Sequence, residues 1–177
     1  YPMDCIVMPN AVSTSKTFEK LIAAIEQSDA RIVEGKAGKQ LTLGALTIDL
    51  LAPCRDYDDL NNMSVVALLT YGDGTFLFTG DAEALSETDM LENGVSACDV
   101  LKVGHHGYYG STSWKFAKGL SPKIAIITNR LGKIYPDVKW TLTMKSHSAI
   151  FATVDENGII AEFTDNDEIK LSNHAQD

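Results

Sequence analysis

Two short stretches carry the side chains best suited to chemistry: Phe76-Leu77-Phe78-Thr79-Gly80-Asp81 and Asp99-Val100-Leu101-Lys102-Val103-Gly104-His105-His106-Gly107. Each is an apolar run that stops at a glycine and then presents groups able to bind a metal ion. A carboxylate and a pair of imidazoles held just past buried strands are what a hydrolytic metal centre needs, because the strands fix the ligands and the loops admit substrate. In a two-metal site of that kind Asp81 would be the bridging carboxylate, and carboxylate with imidazole donors suits zinc or manganese. Adjacent strand residues point to opposite faces, so a strand running on through the histidine pair would offer only one of them to the ion. On that premise His105 is the preferred ligand, and His106 supports it or touches substrate. The following Gly107-Tyr108-Tyr109-Gly110-Ser111 is expected to be a mobile loop at the mouth, with tyrosines that stack on or hydrogen-bond a substrate.

Each of these residues also has a plainer reading. Asp81 precedes a helical stretch and would serve as its N-cap, with Glu83 adding negative charge at the helix's positive end. A His-His-Gly triplet alone reads as a polar loop. Occurring together at successive strand ends, the aspartate and the histidines favour a site. His147 and His174 are assigned no role, Trp114, Phe116 and Trp140 read as packing residues, and Asn61-Asn62 reads as a turn that sets up the next strand.

The positioning elements follow from periodicity. A strand is expected at Asp4 to Met8, then a helix from Thr14 to Gln27 with Ser13 or Thr14 as cap and Phe18, Leu21, Ile22 and Ile25 on the face that packs on a sheet. Arg31-Ile32-Val33, Gln40 to Leu43 and Leu46 to Leu51 read as strands, the last two joined by a Gly44-Ala45 turn of type II′. The run from Ser64 to Tyr71 is apolar enough for a strand covered on both faces. After Thr75 to Thr79 the order becomes helix (Ala82 to Leu91), strand (Cys98 to Val103), helix (Ser113 to Leu120), strand (Lys123 to Thr128) and helix (Val138 to Ser146). Strands at Ala149 to Val154, Ile159 to Thr164 and Glu168 to Leu171 close the chain. This alternation is α/β (α+β), with helices outside a sheet.

At 177 residues the chain is expected to form a single domain, residues 1 to 177, and to bury roughly 70% of its unfolded surface. The net charge of −9 excludes a general duplex-DNA surface, because non-specific affinity comes from lysines and arginines neutralising phosphates, so a nucleic-acid contact would have to be local. No apolar run reaches the roughly 18 residues of a membrane-spanning helix. Cys5, Cys54 and Cys98 are odd in number and form no C-x-x-C pair, which excludes a disulfide framework and a zinc knuckle. No nucleophile elbow, phosphate loop or dinucleotide turn is present.

The ordered set Asp59-Leu60-Asn61-Asn62-Met63-Ser64-Val65-Val66, Phe76 to Glu83 and Asp99 to Gly107 resembles the metallo-β-lactamase-fold hydrolases related to the competence protein ComEC (Rec2). The resemblance continues through Ser121 to Ile127 and Thr153 to Ile160, so it covers essentially the whole chain. It implies an αββα sandwich and metal-dependent hydrolysis of nucleic-acid phosphodiesters or related esters with zinc or manganese, and it allows an extracytoplasmic setting while the location stays open. Two departures stand out. The family's His-x-His-x-Asp-His motif is absent, and its late Gly-His-Pro has no counterpart in Asn129 to Pro136. The expectation is therefore the portion downstream of that motif, lacking the fold's N-terminal strands and with an incomplete site that could hold no ion at all. Two functions follow: a metallo-hydrolase, or a degenerate non-catalytic binding or structural domain. Strands without their cover should also pair, which predicts a homodimer through the region of Ile6 or Ile32 or the meander from Leu41 to Leu51.

Overall fold

The computed structural model describes residues 3–164 and 168–173. His174 lies outside them. In chain order the elements are β1 (Cys5–Met8), α1 (Lys16–Glu26), β2 (Arg31–Glu34), β3 (Lys39–Leu43), β4 (Leu46–Ala52), β5 (Val66–Tyr71), β6 (Gly74–Phe78), α2 (Ala84–Glu92), β7 (Val100–Lys102), α3 (Trp114–Leu120), β8 (Ile124–Ile127), α4 (Pro136–Met144), β9 (Ala149–Ala152), β10 (Ile159–Phe163) and β11 (Ile169–Asn173).

Seven of these strands form one mixed sheet in the order β3-β4-β5-β6-β7-β8-β9. The first half is an antiparallel meander, from β3 through β6. The second half is parallel, with β6, β7, β8 and β9 joined by helical crossovers. A parallel pair cannot be closed by a tight turn, so each crossover lays a helix on the sheet. Val66, Leu77, Leu101, Ala125 and Ile127 meet Met90 of α2, Phe116 and Leu120 of α3, and Val138 and Leu142 of α4 in one apolar cluster. On the opposite face of β6, Phe76 packs edge-on against Phe163 of the antiparallel β10–β11 pair, with ring centroids 4.9 Å apart. A Cβ added at Gly74 would lie 2.5 Å from that Phe163 ring, which is why β6 begins on glycine.

Several expectations shift. The cap of α1 is Ser15, whose Oγ accepts the Phe18 N–H at 3.1 Å, rather than Ser13 or Thr14. Only Ile25 of the α1 stripe is buried, and Leu21 stays exposed, because β1 and β2 pair with each other apart from the large sheet. The strand expected from Cys98 to Val103 is only Val100–Lys102. Phe116 is a core residue as expected, whereas Trp114 and Trp140 are 51% and 52% exposed and fill no core position.

Candidate active site

Because β6, β7 and β8 are parallel, the loops that follow them leave the same edge of the sheet, and these loops carry Asp81, His105-His106 and Thr128. Gly80 makes the first turn possible. Its φ of +56° suits glycine, and a Cβ there would lie 2.9 Å from Ser64 Cβ. Two donors fasten the second loop to the first: the His105 N–H reaches Gly80 O at 3.2 Å, and Lys102 Nζ reaches the same carbonyl at 2.7 Å. Asp81 is fixed from its backbone, whose N–H donates to Ser64 Oγ at 3.0 Å. It does not cap α2, since the position before that helix is Glu83. Asn62 performs that service from the preceding loop, its buried side-chain carbonyl accepting the N–H groups of Glu83 at 3.3 Å and Ser86 at 3.1 Å.

The premise of strand alternation at the histidines does not hold. β7 ends at Lys102, and His105 and His106 occupy a tight turn with φ of 45° and 55°, both left-handed. Each imidazole consequently takes its own partner. His106 Nε2 lies 3.5 Å from Asp81 Oδ1, while its Nδ1 sits 2.7 Å from Thr128 Oγ1 and 3.2 Å from Thr128 O. His105 Nδ1 instead lies 3.0 Å from Glu83 Oε1, which also accepts from Asn61 Nδ2 at 3.0 Å. A carboxylate only accepts, so His105 is placed to carry its proton on Nδ1 and leave the Nε2 lone pair free, whereas His106 faces an acceptor at each nitrogen, the Thr128 carbonyl at Nδ1 and Asp81 at Nε2. The His105 arrangement is the tautomer of a metal-ligating histidine, oriented by an outer partner.

Glu83, Lys102, Ser64 and Thr128 are the members that sequence reasoning did not assign to this edge. Lys102 is the most consequential: its ammonium lies 4.0 Å from Asp81 Oδ1. Burial pulls its proton affinity below the usual value, and the Asp81 charge pulls in the opposite direction. Among the described residues no three His, Cys, Asp or Glu side chains are grouped so as to share one ion. Asp81 and His106 could supply two donors, one short of the three protein ligands of a catalytic zinc centre.

The seven-stranded mixed sheet with its helices is a metallo-β-lactamase fold. Among solved structures of that shape, a metallo hydrolase from the archaeon Ignicoccus hospitalis superposes with a TM-score of 0.51 at 13% identity, covering 97% of this chain and 80% of that one. The metallo-beta-lactamase fold protein YhfI from Bacillus subtilis gives 0.50 at 13% identity, covering 84% of this chain and 73% of that one. A CmlA beta-hydroxylase gives 0.54 at 14% identity, over 82% of this chain and 37% of that one. No family model matches the chain. By sequence it is 33% identical over 160 residues to ComE operon protein 3 of Bacillus subtilis, covering 88% of this chain and 20% of that protein. It is 41% identical over 69 residues to Recombination protein 2 of Haemophilus influenzae, covering 39% of this chain and 9% of that one. The chain is a metallo-β-lactamase-fold protein related to ComEC, and it spans a fifth or less of the curated relatives it matches.

Proposed function

We propose that this chain carries one side of a hydrolytic metal site acting on phosphodiester bonds of nucleic acid or on related esters, with Asp81 and His106 as its donors. The observation that supports this reading best is the pairing of Asp81 with an imidazole whose Nδ1 is already committed to Thr128, leaving Nε2 facing the carboxylate. Zinc or manganese bound there would supply Lewis-acid activation of water and of the phosphoryl oxygen. The chain's own residues hold the rest of the edge. Lys102 ties the Gly80 carbonyl and partly neutralises Asp81, and Glu83 holds His105 within 5.4 Å of the Tyr108 ring.

The test is calorimetric titration of the chain with zinc and with manganese, run beside hydrolysis of bis(p-nitrophenyl) phosphate. Asp81→Ala and His106→Ala are each expected to weaken metal binding at least tenfold and to abolish any metal-dependent turnover, with His105→Ala weakening binding less. Unchanged metal affinity in both of the first two variants would sink the reading. A non-catalytic binding or structural role is the second reading, favoured by Lys102 standing as counter-ion to Asp81. A fully folded chain that shows no metal-dependent turnover would support it.

A further inference from the structure

Beside the loop that carries the histidines lies a cavity of about 380 Å³ whose wall includes Tyr109, Trp114, Tyr135 and Trp140, with Thr112 and Thr141 among its polar members. Every one of those four aromatic residues is substantially exposed, so they are not serving the core. Rings connect this cavity to the candidate site: His105 and Tyr108 have centroids 5.4 Å apart, Tyr108 and Tyr135 5.9 Å, and Tyr135 and Tyr109 5.4 Å. Lys115 Nζ lies 5.9 Å from the ring of Trp114, and Lys145 Nζ lies 4.8 Å from the ring of Trp140.

Asp137 is the charged residue that lines the cavity, and the cations placed against its rings are Lys115 and Lys145. Between Trp114 and Lys145 there are seven lysines and arginines and one carboxylate, Asp137, in a protein whose net charge is −9. Lys115, Lys118, Arg130, Lys133, Lys139 and Lys145 are exposed. In sequence, α3, α4 and the segment joining them therefore carry nearly half of the chain's cationic residues, of which Lys123 is bound to Asp99 at 2.7 Å on the other edge of the sheet, while the remainder of the chain is strongly acidic. An aromatic-walled cavity would accept many apolar ligands. Aromatic faces set among lysines on an otherwise repelling surface select a ligand with flat rings and negative charge, which is the chemistry of an unpaired nucleotide strand.

We infer that this cavity is a stacking subsite for a base of single-stranded nucleic acid, with the α3–α4 lysines on the flanking phosphates. The inference deepens the phosphodiesterase reading by naming where the strand is held, and it rests on that reading only for what happens to the strand afterwards. Double-stranded nucleic acid is excluded by its own geometry, because paired bases keep their faces stacked on one another.

Trp114 and Trp140 are the only tryptophans in the chain, so its indole fluorescence reports on this wall alone. The experiment titrates the chain with a ten-nucleotide oligothymidylate in EDTA, where metal-dependent hydrolysis is excluded, against an abasic strand of equal length and charge and a duplex of the same length. Oligothymidylate is expected to quench the emission and to bind at least tenfold tighter than the abasic strand and the duplex. Trp114→Ala and Trp140→Ala, both at exposed positions, should each lose about tenfold by anisotropy of a labelled strand, with unchanged circular dichroism. Equal affinity for the three ligands would overturn the inference, and so would affinity unaffected by both substitutions. Asp81→Ala should bind the strand as the unsubstituted chain does. In the unsubstituted chain, absence of metal-dependent hydrolysis with stacking present would therefore count against the metal reading alone, and absence of stacking with hydrolysis present against this one alone.

Discussion

Glu87 offers the sharpest quantitative test of how the site edge is held together. It lies in the first turn of α2 with 1% of its surface exposed, and its two carboxylate oxygens accept the backbone N–H groups of Thr112 and Ser113. Thr112 is itself strained into a left-handed conformation with φ of 55°, and Ser113 caps α3. One buried acid thus fixes the segment between the histidine turn and the helix that bears Trp114. Burial pushes its pKa up to about 7, against the opposing pull of the hydrogen bonds from Ser113 and Thr112 and with some help from the charge of Glu83.

The sign follows from proton counting. The unfolded carboxyl ionises near 4.5 and the folded one near 7, so between those values the folded state binds more protons and stability falls as pH rises. A shift of that size corresponds to about 3 kcal/mol, fully lost once the pH passes the folded value. Glu87→Gln cannot titrate and keeps one acceptor for the two N–H groups. The difference in unfolding free energy, unsubstituted chain minus Glu87→Gln, should therefore fall by about 3 kcal/mol between pH 4.5 and pH 8. Urea unfolding followed by far-ultraviolet circular dichroism at four pH values in that window measures it directly. A flat difference would refute the burial argument, and a difference that rises with pH would mean that the two N–H bonds outweigh desolvation.

Two further outcomes are expected. Thr128→Val removes the 2.7 Å contact to His106 Nδ1 and leaves only the carbonyl, so zinc affinity measured by calorimetry should fall about tenfold; no change would mean that Thr128 does not orient the ring. The proposal of a homodimer through the early strands points to Leu21 and Ile32, both exposed on the β1–α1–β2 unit, and light scattering at micromolar concentration should give a dimer that Leu21→Lys dissociates; a monomer in both proteins would end that proposal.

The parts of this structure that were legible in the sequence are those governed by burial with a fixed period. β5 and β6 announce themselves as apolar runs, and the inward Leu77 between Phe76 and Phe78 obeys strand alternation. The two strand-end glycines marked where backbone leaves the sheet, and that alone located Asp81 and the histidine pair. Periodicity failed where the chain departs from regular backbone. Nothing in the letters His-His forecasts two consecutive left-handed residues, which are uncommon outside glycine, so the alternation rule had no strand to act on at this pair. Trp140 was missed for a different reason. Val138 and Leu142 define the buried side of α4, and a residue two positions from each points away from that side, a signal that was present but outweighed by the expectation that tryptophan packs. The cationic cluster was hidden by averaging, since a net charge of −9 conceals a segment with a surplus of the opposite sign.

Topology explains why chemistry and cavity share one edge. The sheet changes from antiparallel to parallel at β6, and from there every strand ends at the same side. The β6 loop brings Asp81 and Glu83, the β7 loop brings the histidines and Tyr108-Tyr109, and the β8 loop brings Thr128 and Asn129, whose Nδ2 donates to His106 O at 3.3 Å. The crossover helices must begin where these loops end, so Trp114 at the start of α3 and Tyr135 just before α4 arrive beside them without any further device. Lys102 at the end of β7 apart, substitutions within the strands can therefore reach the site only through the stability of the sheet. Substitutions in three loops and two helix starts can instead change what is bound there while the cluster of Leu77, Leu101, Phe116 and Leu142 stays as it is.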